Sequence, residues 1–162
     1  MKLKTFLSLL FILFSVLLAD AQPKFDKSAF YKAIASDDVG QINSQLEILQ
    51  RSSIAEKEAY EGFLQMRKAG MVGGPSEKLS LFRNGHEKLE SAITRDENNL
   101  EFPFLRLMIQ ENAPKILGYH HNIKNDREVI RKNFKKFPQI VQIAIVDYSK
   151  KSKVLNPKDF QQ

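Results

Sequence analysis

Residues 70–99 read GMVGGPSEKLSLFRNGHEKLESAITRDENN, and this stretch sets the fold class. Gly70-Met71-Val72-Gly73-Gly74 breaks any preceding helix, and Pro75 with Glu77 starts another. Proline at the first helical position lacks only a donor that would be orphaned there, and an acid in the first turn meets the positive end of the helix dipole. Leu79, Phe82, Leu89 and Ile93 then mark one apolar face at helical spacing. Asp96-Glu97-Asn98-Asn99 stops that helix. Asn98 with Glu101 predicts a capping pair for the next, which carries Phe102, Phe104, Leu105, Met108 and Ile109. Pro103 falls in its first turn; further in it would cost about 3 kcal/mol. Asn112-Ala113-Pro114 ends it.

The same punctuation continues on both sides. Toward the N-terminus, Ser53 and Glu56 predict a capping box for a helix running to about Ala69, with Ala55, Ala59, Gly62, Phe63 and Met66 as its stripe. Before it, Ser28 to Ala35 holds Phe30, Tyr31, Ala33 and Ile34 and stops at Ser36-Asp37-Asp38. Asp37 is the expected N-cap of a second helix whose Val39, Ile42, Leu46 and Leu49 share a face. Toward the C-terminus, Lys115 to Asn122 reads as a loop. A helix from about Ile123 to Lys136 places Ile123, Ile130, Phe134 and Phe137 inward. Pro138 opens a segment, Ile140 to Val146, that is apolar on nearly all sides: a buried closing helix, or a strand by its β-branched content. Pro138 before it and Asp147-Tyr148-Ser149-Lys150 after it favour helix. The expectation is an all-α fold of about seven helices arranged as antiparallel hairpins, one domain over residues 22–155, and a frayed tail over 156–162.

Met1 to Ala21 has the three parts of a secretory signal peptide: Lys2 and Lys4, the apolar run Phe6 to Leu18, and Ala19-Asp20-Ala21 as the cleavage site. The apolar run is shorter than the roughly 20 residues that a spanning helix needs. An uncleaved anchor is the alternative, and either way the domain is expected outside the cytoplasm, periplasmic or secreted after cleavage near Ala21. The chain has no Cys, which excludes a disulfide framework, a thiolate metal site, a cysteine nucleophile and a lipoprotein anchor. With 43% hydrophobic residues against 7 Gly and 6 Pro in 162, fibrous and disordered classes are excluded as well.

Gly85, Leu89 and Ala92, followed by Asp96 to Asn99, resemble in order and spacing the second helix and exit turn of a tetratricopeptide (TPR) repeat. There a small residue lets the helices of a hairpin approach, a large one fills the gap and a second small one meets the next hairpin. Glu97 stands where that repeat usually has proline, and the break at Gly70 to Gly74 is longer than its usual turn. The opening Phe30 to Leu49 is similar to an ankyrin-like hairpin. The segment Leu105 to Pro114 after a TPR-like helix resembles a group of uncharacterised exported bacterial proteins. What these resemblances imply is a helical scaffold that presents a surface to a partner, with no cofactor. Arg83, Lys88, Arg106 and Gln110, on the matched region, would contact a protein or peptide of the cell envelope.

Chemistry-bearing constellations are few. His120-His121, with Glu111 nearby, invites a metal or hydrolytic reading. However, adjacent histidines point about 100° apart on a helix, and no H-x-x-x-H spacing is present. His86 reads as a helix-surface residue, and Glu87 and Glu90 as a solvated face with Lys88 and Arg83. No G-x-S-x-G marks a serine nucleophile. Gly70 to Gly74 lacks the Lys and Ser/Thr of a phosphate loop and reads as a spacer, with partner contact as the lesser alternative. The net charge is +6. Bases cluster late in the chain: Lys124, Arg127, Arg131 and Lys135 could attract acidic polymer, lipid head groups or an acidic protein. Nucleic acid is not an expected partner, since there is no Trp and no aromatic-basic interleaving.

Overall fold

The computed structural model describes residues 24–160. The expected signal peptide lies outside the described residues. Seven α-helices follow in order: α1 (Lys27–Ala35), α2 (Val39–Arg51), α3 (Lys57–Ala69), α4 (Pro75–Arg95), α5 (Glu101–Asn112), α6 (Ile123–Asn133) and α7 (Gln139–Ser149). Short 3-10 turns occupy Lys115–Leu117, Phe134–Lys136 and Pro157–Phe160, and there is no strand among the described residues. The fold is all-α, as the periodicity predicts.

Helix starts follow local side-chain chemistry, with three shifts from expectation. Asp26 caps α1 by accepting from Ser28 N at 2.9 Å. Asp38, not Asp37, caps α2 by accepting from Gly40 N at 2.7 Å, while Asp37 takes a left-handed φ of 53° to turn the chain. Ser53 and Glu56 form no capping box, because α3 starts one residue after Glu56 and the Glu56 side chain makes no cap bond. Asn99, not Asn98, serves α5, its Oδ1 accepting from Glu101 N at 3.1 Å. Pro75 opens α4 with Glu77 in its first turn, as predicted.

The most extensive packing is between α3 and α4, which form an antiparallel hairpin. Its closeness rests on two glycines. A Cβ on Gly62 would sit 2.6 Å from Gly85 O, and a Cβ on Gly85 would sit 2.5 Å from Gly62 O. Leu89 and Ala92 continue that seam and are buried. α5 is the central helix: from Glu101 to Gln110 every residue but Pro103 is buried. It packs on α3, α4 and α6, and α7 returns to pack on α1, so the two ends of the domain meet.

Two expectations are corrected here. α7 is not the buried helix: Val141 and Ile145 face the core, but Ile143 is 50% exposed. α5 takes that place because its polar residues find partners inside, whereas α7 lies against the core on one side only. Nor is the C-terminal end frayed as far as it is described. Pro157–Phe160 forms a 3-10 turn, and Phe160 is buried with its ring 4.8 Å from that of Phe134. No helix among the described residues is long and apolar enough to cross a membrane.

Candidate functional site

α5 ends where Pro114 cannot continue it, and the 3-10 turn Lys115–Leu117 follows. Gly118 then adopts φ 64°, a conformation open to glycine without a Cβ penalty, and this reversal sends Tyr119 inward. The Tyr119 hydroxyl donates to Glu90 Oε1 at 2.5 Å. Its ring stands edge-on to His86 at 4.6 Å and to Phe82 at 5.8 Å, and His86 stacks on Phe82, one turn back along α4, at 6.4 Å. Between the middle of α4 and this turn lies a cleft of about 860 Å³, lined at its polar end by Arg83, His86, Glu90, Tyr119, His121 and Asn122.

Behind the cleft wall sits a buried charge network. Glu90 Oε2 accepts from Arg106 Nη1 at 3.0 Å, and Arg106 donates through Nε and Nη2 to both oxygens of Asp126 at 2.8 Å each. Asp126 is fully buried and Arg106 is 7% exposed. Burial works to lower the Arg106 pKa, but the bonds and charges of Asp126 and Glu90 outweigh it and raise it. Burial pushes the Asp126 carboxyl up, against the pull of Arg106. Burial and then Glu90 push the Tyr119 hydroxyl well above the usual tyrosine range, so it stays a donor. A hydrogen-bonded chain thus runs Asp126–Arg106–Glu90–Tyr119 and ends on the ring that holds His86.

The cleft opens into an apolar groove of about 500 Å³ between the end of α3, the start of α4 and the end of α5. Met66, Ala69, Met108, Ile109 and Pro114 line the groove, and Leu79, Phe82, Ile116 and Leu117 line both spaces. Leu79 is 40% exposed and Ile116 93% exposed. Gly70 and Pro75 form one rim, so the glycine-rich break adjoins the groove.

Of the four residues expected to meet a partner, the structure leaves only Arg83 in the cleft, exposed and without an ion pair among the described residues. Lys88 reaches Glu61 Oε2 at 2.5 Å across the hairpin. Arg106 and Gln110 lie in the interior, Gln110 donating to Asn122 Oδ1 at 3.2 Å, because α6 and the turn before it pack over that side of α5. Lys124 on α6 and Lys135 in the 3-10 turn after it are exposed, but Arg127 and Arg131 of α6 approach Asp159 at 3.7 and 3.1 Å. The basic face is therefore partly neutralised by the protein's own C-terminal turn.

His120 and His121 are exposed, their rings 4.8 Å apart, and only His121 lines the cleft. Glu111 accepts from the Tyr148 and Ser152 hydroxyls at 2.9 and 2.7 Å and from the Lys153 backbone, so its oxygens are engaged. Among the described residues no three His, Asp or Glu side chains are grouped closely enough to hold a metal ion. Glu90 is half-buried in the network rather than part of a solvated face, and His86 is a cleft residue. A signal for this did exist in the sequence: Asp126 sits in the Ile123–Ile130 stripe and Arg106 inside the apolar run Phe102 to Ile109, so each is a charge on a buried face. Comparison with known proteins finds no matching family model, no matching curated protein and no matching solved structure.

Proposed function

We propose that the protein is an exported, non-catalytic interaction or envelope-assembly module, built on a TPR-like helical scaffold, that holds a segment of another protein in the groove beside α4. The observation that carries this reading is the exposed apolar surface formed by Leu79 and Ile116 over a floor of Met66, Met108 and Ile109. The floor residues are already buried, so the cost of leaving apolar surface in water, about 25 cal/mol per Å², falls on Leu79 and Ile116, and a partner that covers them relieves it. The titratable groups around the groove suit binding better than catalysis. Glu90 and Tyr119 are tied to each other, and Glu111 is tied to the C-terminal segment. Export rests on the signal-peptide pattern of Met1 to Ala21.

A second reading, binding of acidic envelope polymer or lipid head groups through α6 and the 3-10 turn that follows it, is favoured by the exposed Lys124, Lys132, Lys135 and Lys136. One experiment separates the two. Immobilised protein is exposed to envelope extract at low and at high salt, beside an Ile116→Asp/Leu79→Asp variant with unchanged helical circular dichroism. Retention of a discrete protein at high salt by the wild type, and its loss in the variant, is the expected outcome. Retention of salt-labile polymer by both moves the function to α6, since exposed charge contacts are screened over about 10 Å at 0.1 M salt.

A further inference from the structure

We infer that the segment held in this groove carries an acidic side chain next to its apolar residues, and that Arg83, with His86 and His121, receives it. The inference rests on the interaction reading above and adds the partner's chemistry. The groove and the cleft adjoin each other: Leu79, Phe82, Ile116 and Leu117 line both. One end is apolar. At the other, Arg83, His86 and His121 make no hydrogen bond or ion pair among the described residues, and the Asn122 amide lies beside them. The one acid in that end, Glu90, is already shared between Arg106 and Tyr119. Among the described residues the Arg83 guanidinium therefore faces the cleft without an ion pair, with the exposed Glu87 one helical turn away on α4 as the acid a ligand carboxylate would have to outcompete.

Of these groups, His86 is also held in place. The His86 ring is stacked on Phe82 and met edge-on by Tyr119, whose hydroxyl is fixed through Glu90 and Arg106 to the fully buried Asp126. A pre-ordered donor group costs less to immobilise on binding than a free one. The open form of the groove favours a peptide over an acyl chain. With Ile116 93% exposed at its rim, a bound hydrocarbon would stay wet along its length, whereas a peptide turns apolar side chains to the floor and leaves its backbone to water.

The test uses the whole protein, methyl- and nitrogen-labelled for magnetic resonance, and two end-blocked peptides at millimolar concentration. One peptide carries Leu, Phe and Leu followed by Glu, and the other has Gln in place of Glu. The expected result is movement of the Leu79 and Ile116 methyl signals and the His86 ring signal by the Glu peptide, with affinity about tenfold above its Gln twin at low salt. In the Arg83→Gln variant, an exposed change that leaves the fold intact, the two peptides should bind alike. Equal binding to the wild type at those same signals overturns the acidic-residue inference while leaving the groove reading standing. No movement of those signals by either peptide overturns both. Movement by vesicles of anionic phospholipid and by neither peptide overturns both in favour of a membrane surface.

Discussion

Every tyrosine of this chain donates its hydroxyl to a glutamate. Tyr31 and Tyr60 both donate to Glu101 Oε1, at 2.8 and 3.0 Å, Tyr119 donates to Glu90, and Tyr148 donates to Glu111 at 2.9 Å. The sequence has four tyrosines and no tryptophan. Burial first, and the facing carboxylate second, raises the pKa of Tyr31, Tyr60 and Tyr148; at Tyr119 the same two causes act through Glu90. The sign of the linkage follows. Unfolded tyrosine ionises near pH 10, so stability is fully present below about pH 10 and falls as pH rises from there toward the raised folded values. Tyrosinate absorbance, with no indole signal beneath it, is expected to appear only together with the loss of helical circular dichroism. A tyrosine that ionises near pH 10 in protein that is still helical would contradict this. None of these pairs was legible in the sequence, because the partners lie 29 to 70 residues apart.

At the scale of the element, the α3–α4 hairpin depends on contacts between backbones. At both Gly62 and Gly85 an added Cβ would meet main-chain atoms of the facing helix, which cannot swing aside as a side-chain tip can. Ala in place of Gly in a helix gains about 1 kcal/mol of propensity, while overpacking of this kind costs up to about 3 kcal/mol. Gly62→Ala and Gly85→Ala are each expected to lose about 2 kcal/mol net in urea unfolding. Gly73→Ala, with nothing within 4 Å of the new Cβ, serves as the neutral control. Equal midpoints for all three would show that the helices can part without cost. Helix number, order and most boundaries were readable from Pro, Gly and the period of the apolar residues. The cap residues were off by one at Asp38 and Asn99, since neighbouring Asp or Asn side chains can serve equally until the chain direction selects one.

At the scale of the whole molecule, the C-terminal segment closes the domain. Glu111 at the end of α5 holds Ser152 and Lys153, Leu155 is buried, and Phe160 seats on Phe134 while Asp159 faces Arg127 and Arg131. Phe160→Ala is expected to cost about 3 kcal/mol in chemical unfolding, the low end for a buried phenylalanine, because a short 3-10 turn can relax into part of the space. A change under about 0.5 kcal/mol, the range typical of surface positions, would mean that the turn is detached in solution. The sequence shows Phe160 only as one apolar residue among polar ones. Its partner is supplied by the 3-10 turn Phe134–Lys136, on the far side of α7, before the chain reverses.

What the sequence determined by itself was local: an all-α fold, the seven helices of the described residues and the apolar face of most of them. These follow from the allowed backbone angles of Pro and Gly and from a period of 3.6 residues, both properties of neighbours along the chain. Which helix lies at the centre, and where Arg106 and Gln110 point, was decided only by tertiary structure. A charged or amide side chain can be buried once a distant partner meets it, and α6 brings Asp126 to Arg106 from 20 residues further along the chain. The cleft arises at the same level. His86, Tyr119 and His121 come together because the chain turns at Gly118, and no spacing in the sequence encodes how far apart those side chains finish.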